Sequence, residues 1–174
     1  RVAWATPDLD MTLQGRPVNS RAIEVFDREQ ATSRAQSLTD LARRRLEMDS
    51  GLRGALAAGE FRLEYQPQVD VATGRACAVE ALIRWNRPGY GPMSPDEFIG
   101  AAERSGLIVD IGDWVLRQAC RQLRQWMQRG AMPITLSVNV SPIQFAESDF
   151  VHQVLSALRD AQVPAHLLQL EVTE

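Results

Sequence analysis

Phe61-Arg62-Leu63-Glu64-Tyr65-Gln66 and, a little further on, Ala76-Cys77-Ala78-Val79-Glu80-Ala81-Leu82-Ile83-Arg84-Trp85 carry the reading that decides the fold. Phe61, Leu63 and Tyr65 alternate with Arg62, Glu64 and Gln66. That is the period of a strand, whose side chains point to two faces in turn. Asp70-Val71-Ala72-Thr73-Gly74 supplies a turn between the two runs. A parallel crossover needs roughly a dozen residues, so a connection this short predicts antiparallel neighbours.

Beyond this hairpin the pattern alternates helix and strand. Ser94-Pro95-Asp96-Glu97 has an N-cap serine, a proline at the first helical position and a glutamate that completes a capping box. The helix it opens is expected to run to Arg104 and stop at Gly106. A longer helix is expected over 111–129, with Ile111, Val115, Leu116, Ala119, Cys120, Leu123 and Met127 on one side and Gly130 as its stop. Ile134 to Val140 reads as a strand, Phe150 to Ala161 as a helix and Leu167 to Val172 as a final strand. The order β, β, α, α, β, α, β predicts an α/β domain with a parallel sheet covered by helices and an antiparallel first strand.

Upstream, Leu38, Leu41, Ala42, Leu46, Leu52, Ala55 and Leu56 recur at helical spacing, decorated by Arg43, Arg44, Arg45, Glu47 and Asp49. This predicts a charged linker helix over 32–58 that ends at Gly59. Pro7, Gly15, Pro17 and Asn19 break any long period before it. Ala22-Ile23-Glu24-Val25-Phe26 reads as a short strand.

Composition sets limits on function. The 174 residues hold 45% hydrophobic and 24% charged side chains, close to a globular average. Nineteen basic against 22 acidic residues leave a net charge of -3, which argues against binding a nucleic-acid polymer by bulk charge. All the basic residues are arginine, so no Schiff-base, Walker or other catalytic lysine exists in this chain. No apolar run approaches the ~20 residues of a membrane helix, and no signal peptide opens the chain. The expectation is therefore a segment without membrane contact. The chain does not start with Met, so it is expected to begin inside a longer protein, whose other segments leave a membrane anchor open. Cys77 and Cys120 are too few for a disulfide scaffold or a zinc site and read as small core residues in a reducing, cytoplasmic compartment. His152 and His166 read as ordinary surface or partly buried side chains.

Several polar residues stand out on the strands. Glu80, Leu82 and Arg84 share one strand face, and Cys77, Val79, Ala81, Ile83 and Trp85 the other. A carboxylate and a guanidinium inside an apolar run are costly unless paired. Either they belong to a salt-bridge network, or they form a site with Glu80 for a cation and Arg84 for an anion such as phosphate. Asn139 and Glu171 lie near the carboxyl ends of the later strands, where α/β folds place ligand sites. A strand-end turn explains Asn139 and Ser141 equally well. Glu80, Asn139 and Glu171 all offer oxygen donors, which suit Mg²⁺, Mn²⁺ or Ca²⁺ better than zinc or copper.

From about Leu52 to Glu174 the chain resembles the first half of an EAL domain, the cyclic di-GMP phosphodiesterase family. The residues that carry the resemblance are Glu80-Ala81-Leu82-Ile83-Arg84-Trp85, Tyr65-Gln66-Pro67, Ser94-Pro95-Asp96-Glu97-Phe98-Ile99 and Ala102-Glu103-Arg104-Ser105-Gly106-Leu107-Ile108. Trp114-Val115-Leu116 with Ala119-Cys120, Val138-Asn139-Val140-Ser141-Pro142-Ile143-Gln144-Phe145 and Leu170-Glu171-Val172-Thr173-Glu174 continue it in order. The resemblance implies a partial TIM-like (β/α)8 barrel with an antiparallel first strand, truncated after about the fourth strand. It implies hydrolysis of cyclic di-GMP to linear pGpG with Mg²⁺ or Mn²⁺. Glu80, Asn139 and Glu171 would be metal ligands, and Gln66, Leu82 and Arg84 would contact substrate. The family's catalytic aspartate pair and lysine would lie beyond Glu174. Residues 1–31 are similar to the tail of a GGDEF (diguanylate cyclase) domain, 32–58 would be the linker helix, and 59–174 the amino-terminal half of the EAL domain.

Two functions follow from the resemblance. The parent protein is expected to be a cyclic di-GMP phosphodiesterase, with this segment inactive alone. The alternative is an inactive EAL module that senses cyclic di-GMP or serves as a protein-interaction scaffold. A homodimer stays open as its assembly.

Overall fold

The computed structural model describes residues 12–13, 16–17, 20–130 and 135–172. The chain divides into two compact units, Arg1–Arg44 and Arg45–Glu174. In the first, β1 (Thr12–Leu13) and β2 (Arg16–Pro17) form an antiparallel pair. Helix α1 (Ser20–Ala58) begins in that unit and ends in the second. The strand expected over 22–26 is thus the first turns of α1. Ile23, Val25 and Phe26 favour a strand, but that preference depends on context, and the good helix formers that follow, Glu29, Gln30 and Ala31, outweigh it here. The helix also starts twelve residues before the expected position 32.

The second unit holds β3 (Phe61–Val69), β4 (Ala76–Arg87), β5 (Gly91–Met93), α2 (Pro95–Ser105), α3 (Ile108–Gln128), β6 (Thr135–Val140), α4 (Pro142–Phe145), α5 (Phe150–Ala161) and β7 (Leu168–Val172). Among the described residues these strands make one five-stranded sheet of order β3-β4-β6-β7, with β5 paired to the end of β4. β3 and β4 are antiparallel, as the short turn predicts, and Phe61 pairs with Trp85. β4, β6 and β7 run parallel. This is the mixed α/β architecture expected, an open TIM-like sheet whose first strand is reversed.

The register shows why the sheet has a dry face and a wet one. Phe61, Val79, Ala81, Trp85, Leu136, Val138 and Val140 are all buried and face the helices. Phe98 of α2 and the α3 stripe Ile111, Val115, Leu116, Ala119, Cys120 and Leu123 cover them. Trp85, wholly buried, meets Phe61 and Phe98 at ring distances of 5.7 and 5.6 Å. Its indole N–H donates to Glu60 Oε2 at 2.8 Å, which satisfies the one polar atom that burial would otherwise strand. Leu52 and Ala55 in the last turns of α1 join the same core.

The ends of α2 follow the sequence signals, whereas α3 begins three residues before its expected start at 111. The Ser94 backbone N–H donates to Glu97 Oε2 at 2.8 Å, and Gly106 closes α2 at φ 76°, a left-handed conformation. The cysteines divide: Cys120 is buried, but Cys77 is exposed, against the expectation of two core thiols. Cys77 belongs to the start of β4, beyond the part that the helices cover. Both histidines are exposed. No helix among the described residues is long and apolar enough to cross a membrane.

Candidate functional site

The wet face of the sheet collects the polar strand residues into rows. Gln66 pairs with Glu80, Glu80 with Ser137 and Ser137 with Gln169, so these four lie side by side across four strands. The next row towards the carboxyl ends of the parallel strands holds Glu64 opposite Leu82, and Asn139 opposite Glu171. Arg84 comes one row further, opposite Arg62. A period of two combined with parallel register is what puts Glu80, Asn139 and Glu171 on one face.

Within this layout, Asn139 Nδ2 donates to Glu80 Oε1 at 2.7 Å. Glu171 Oε1 accepts from Gln169 Nε2 at 3.2 Å. The three expected oxygen donors therefore sit on adjacent strands, two of them in contact. Among the described residues no cluster of three or more His, Cys, Asp or Glu is placed to hold a metal, so the candidate set depends on the Asn139 amide. A set of two carboxylates and one amide oxygen has the chemistry of a hard-cation site, and no sulfur or imidazole competes within it.

Arg84 and Glu80 do not pair with each other. Arg84 Nε donates to Glu64 Oε2 at 2.8 Å, and Arg84 Nη1 to the Ile83 carbonyl at 3.0 Å. Arg62 Nη2 donates to the other oxygen of Glu64 at 2.8 Å. Arg62 first and then Arg84 hold the Glu64 carboxyl below the usual carboxylate range. The ion pair is on the surface and is screened accordingly. The salt-bridge reading thus holds for Arg84, with a partner that sequence reasoning missed. Glu64 carried only the signal of its alternation, and its link to Arg84 needs the register of two strands.

A cavity of about 360 Å³ opens beside this row, at the carboxyl ends of β4 and β6 and under α2, α3 and α4. Leu82, Arg84, Asp96, Glu103, Asn139 and Gln144 are among its lining. In the sequence Glu103 stands only within a longer motif, and Gln144 only as a polar residue that follows Asn139. In the structure, Ser141 Oγ donates to Glu103 Oε1 at 2.7 Å. Gln144 is 2% exposed, and its Nε2 has no hydrogen-bond partner.

The model of the EAL domain family matches residues 49–174. A bifunctional diguanylate cyclase/cyclic di-GMP phosphodiesterase, MucR of Pseudomonas aeruginosa, is 43% identical over 139 residues, which cover 79% of this chain and 20% of that protein. The cyclic di-GMP phosphodiesterase PA2567 of the same organism is 37% identical over 97% of this chain and 30% of its own length. The chain thus spans less than a third of either curated relative. Among solved structures, the MucR phosphodiesterase in complex with c-di-GMP is similar at a TM-score of 0.71 and 42% identity, covering 74% of this chain and 52% of that one. The Xanthomonas citri FimX EAL domain in complex with c-di-GMP is similar at 0.63 and 29% identity, covering 80% and 52%.

Proposed function

The chain belongs to the EAL domain family, and from that premise we propose that it is part of a phosphodiesterase that hydrolyses cyclic di-GMP to linear pGpG in a bacterial cytoplasm. The observation that carries this reading is the Asn139–Glu80 contact at 2.7 Å, with Glu171 at the neighbouring register position and Arg84 one row away. Glu80, Asn139 and Glu171 would hold Mg²⁺ or Mn²⁺. The chemistry such a cation supplies when bound is a polarised phosphoryl oxygen and a water made nucleophilic near neutral pH. Arg84 binds a substrate phosphate through guanidinium N–H groups, in exchange for part of its contact with Glu64. Gln66 lies across from Glu80 and faces a guanine edge, and Leu82 packs against the ligand between Glu80 and Arg84. The groups that complete catalysis, an aspartate pair and a lysine, would come from a part of the protein after Glu174.

In the same reading residues 1–31 are the tail of a GGDEF domain, which then includes the first turns of α1, the part of α1 from 32 to 58 is the linker, and 59–174 are the amino-terminal half of the EAL domain. A relative named as both a diguanylate cyclase and a cyclic di-GMP phosphodiesterase supports the pairing of the two activities in one protein.

The test is an assay of pGpG release from cyclic di-GMP by the full-length protein that carries this segment, with Mg²⁺. Turnover that disappears in Glu80→Ala is the expected result. Turnover unaffected by Glu80→Ala would sink the reading. Tight binding of cyclic di-GMP without turnover by the wild type would replace it with a sensor.

A further inference from the structure

The turn after Asn139 is held from outside the row of candidate ligands. Ser141 is the N-cap of α4, accepting from the Ile143 N–H at 3.3 Å, and it is almost buried. Its own hydroxyl proton goes to Glu103 Oε1 of α2, at 2.7 Å, across 38 residues of sequence. Three residues on, the buried Gln144 carboxamide lies flat against Gly112 of α3, where a Cβ would collide with it. The two contacts anchor one short turn to two different helices. Asn139 stands immediately before that turn and reaches Glu80 with its amide.

We propose that Glu103 is a positioning residue of the site: by accepting the Ser141 hydroxyl it fixes the β6–α4 turn, and so holds Asn139 at Glu80. This rests on the reading of Asn139 and Glu80 as cation ligands. The hydrogen-bond partner of Glu103 is Ser141, not Glu80, Asn139 or Glu171. At 2.7 Å the bond is short, and it ties the turn to a different helix. α2 is in turn fixed by its capping box and by the burial of Phe98, Ala101 and Ala102, so the acceptor has a rigid base. Residues that orient a ligand side chain can matter to metal affinity nearly as much as the ligand does.

The role needs an acceptor at this position and no charge, which separates it from direct ligation. Glu103→Gln keeps an amide oxygen for Ser141, whereas Glu103→Ala and Ser141→Ala both break the bond. The experiment uses the full-length protein and these three variants, with Mn²⁺ binding by calorimetry, cyclic di-GMP turnover, and hydrogen exchange of residues 139–145 by mass spectrometry. We expect Glu103→Ala and Ser141→Ala to weaken Mn²⁺ binding about tenfold and to speed exchange in the turn, the scale of losing one hydrogen bond. Glu103→Gln should stay near wild type in all three readouts. Wild-type exchange in Glu103→Ala overturns the proposal, as does a Glu103→Gln variant as damaged as Glu103→Ala, which would make Glu103 a ligand by charge. A wild type that neither binds Mn²⁺ nor turns over cyclic di-GMP would refute the functional reading instead, and the exchange data would still decide whether Glu103 fixes the turn.

Discussion

Two thiols in one short domain meet opposite environments, and their chemistry follows from burial. Cys120 sits in the α3 stripe against the sheet, and burial pushes its pKa up to about 11, with Arg117 offsetting this slightly. Cys77 is exposed near the start of β4, where its Sγ approaches the Gln68 carbonyl at 3.4 Å. Because the thiolate is the reactive species, labelling with a small disulfide reagent at pH 8 is expected to modify Cys77 quickly and Cys120 only on unfolding. Both thiols reacting at equal rates in the folded protein would contradict the packing of α3. The same burial makes stability depend on pH. A thiol ionises at about 8.5 in an unfolded chain, so between there and about 11 the folded state retains a proton that the unfolded state has lost. The neutral-thiol contribution is fully present below that range and declines as pH rises through it. Sequence periodicity placed Cys120 correctly on the apolar stripe. It misplaced Cys77 because alternation identifies a face of β4 but says nothing about where along the strand the helical cover stops.

At the scale of elements, the contact between α3 and α4 is the one most sensitive to a single atom. Gly112 is buried, and the Gln144 carboxamide occupies the space that a side chain at 112 would need. Gln144 is itself buried, but its carboxamide is the end of a flexible side chain and borders the cavity, so it can move aside. Gly112→Ala is therefore expected to destabilise the protein by about 1 kcal/mol, the low end for overpacking, because a flexible side-chain end and not backbone must move and alanine has the better helix propensity. Gln144→Ala in the same background should recover part of that loss, because it empties the contested space. Urea unfolding of the two single variants and the double variant measures the coupling. Additive losses would show that the two residues do not compete. This contact was not legible in the sequence, since it joins positions 32 residues apart through the packing of two helices. The hairpin, the capped start of α2, its stop at Gly106, and β6, α5 and β7 were legible, because each is set by a local period or a local turn residue. β5 and α4 were not, being three and four residues long and too short to display a period. At the site the same division holds. Glu80, Asn139 and Glu171 could be read as oxygen donors near strand ends, whereas their common face and the Arg84–Glu64 and Ser141–Glu103 pairs required the register and packing of separate elements.

For the second unit as a whole, the two outer strands matter more than any internal contact. β3 and β7 each have one strand neighbour among the described residues, and the polar rows between them face away from the helices. Pro67 sits within β3, a position that an outer strand tolerates because proline donates no ladder hydrogen bond. β7 has no such protection, and Val172 near its end is 50% exposed. An open edge of this kind is a template for pairing with another chain, and barrels avoid it by closing. The chain of residues 1–174, produced alone, is therefore expected to associate through β7 and to release no pGpG. Light scattering behind size exclusion measures the first, and the phosphodiesterase assay the second. Val172→Lys puts a charge on the exposed part of the edge and should shift the distribution towards monomer without altering the helical content seen by circular dichroism. Cooperative melting of a monomeric wild-type chain that turns over cyclic di-GMP would refute both expectations. It would mean that the face bounded by β3 and β7 needs no further strands to act on cyclic di-GMP.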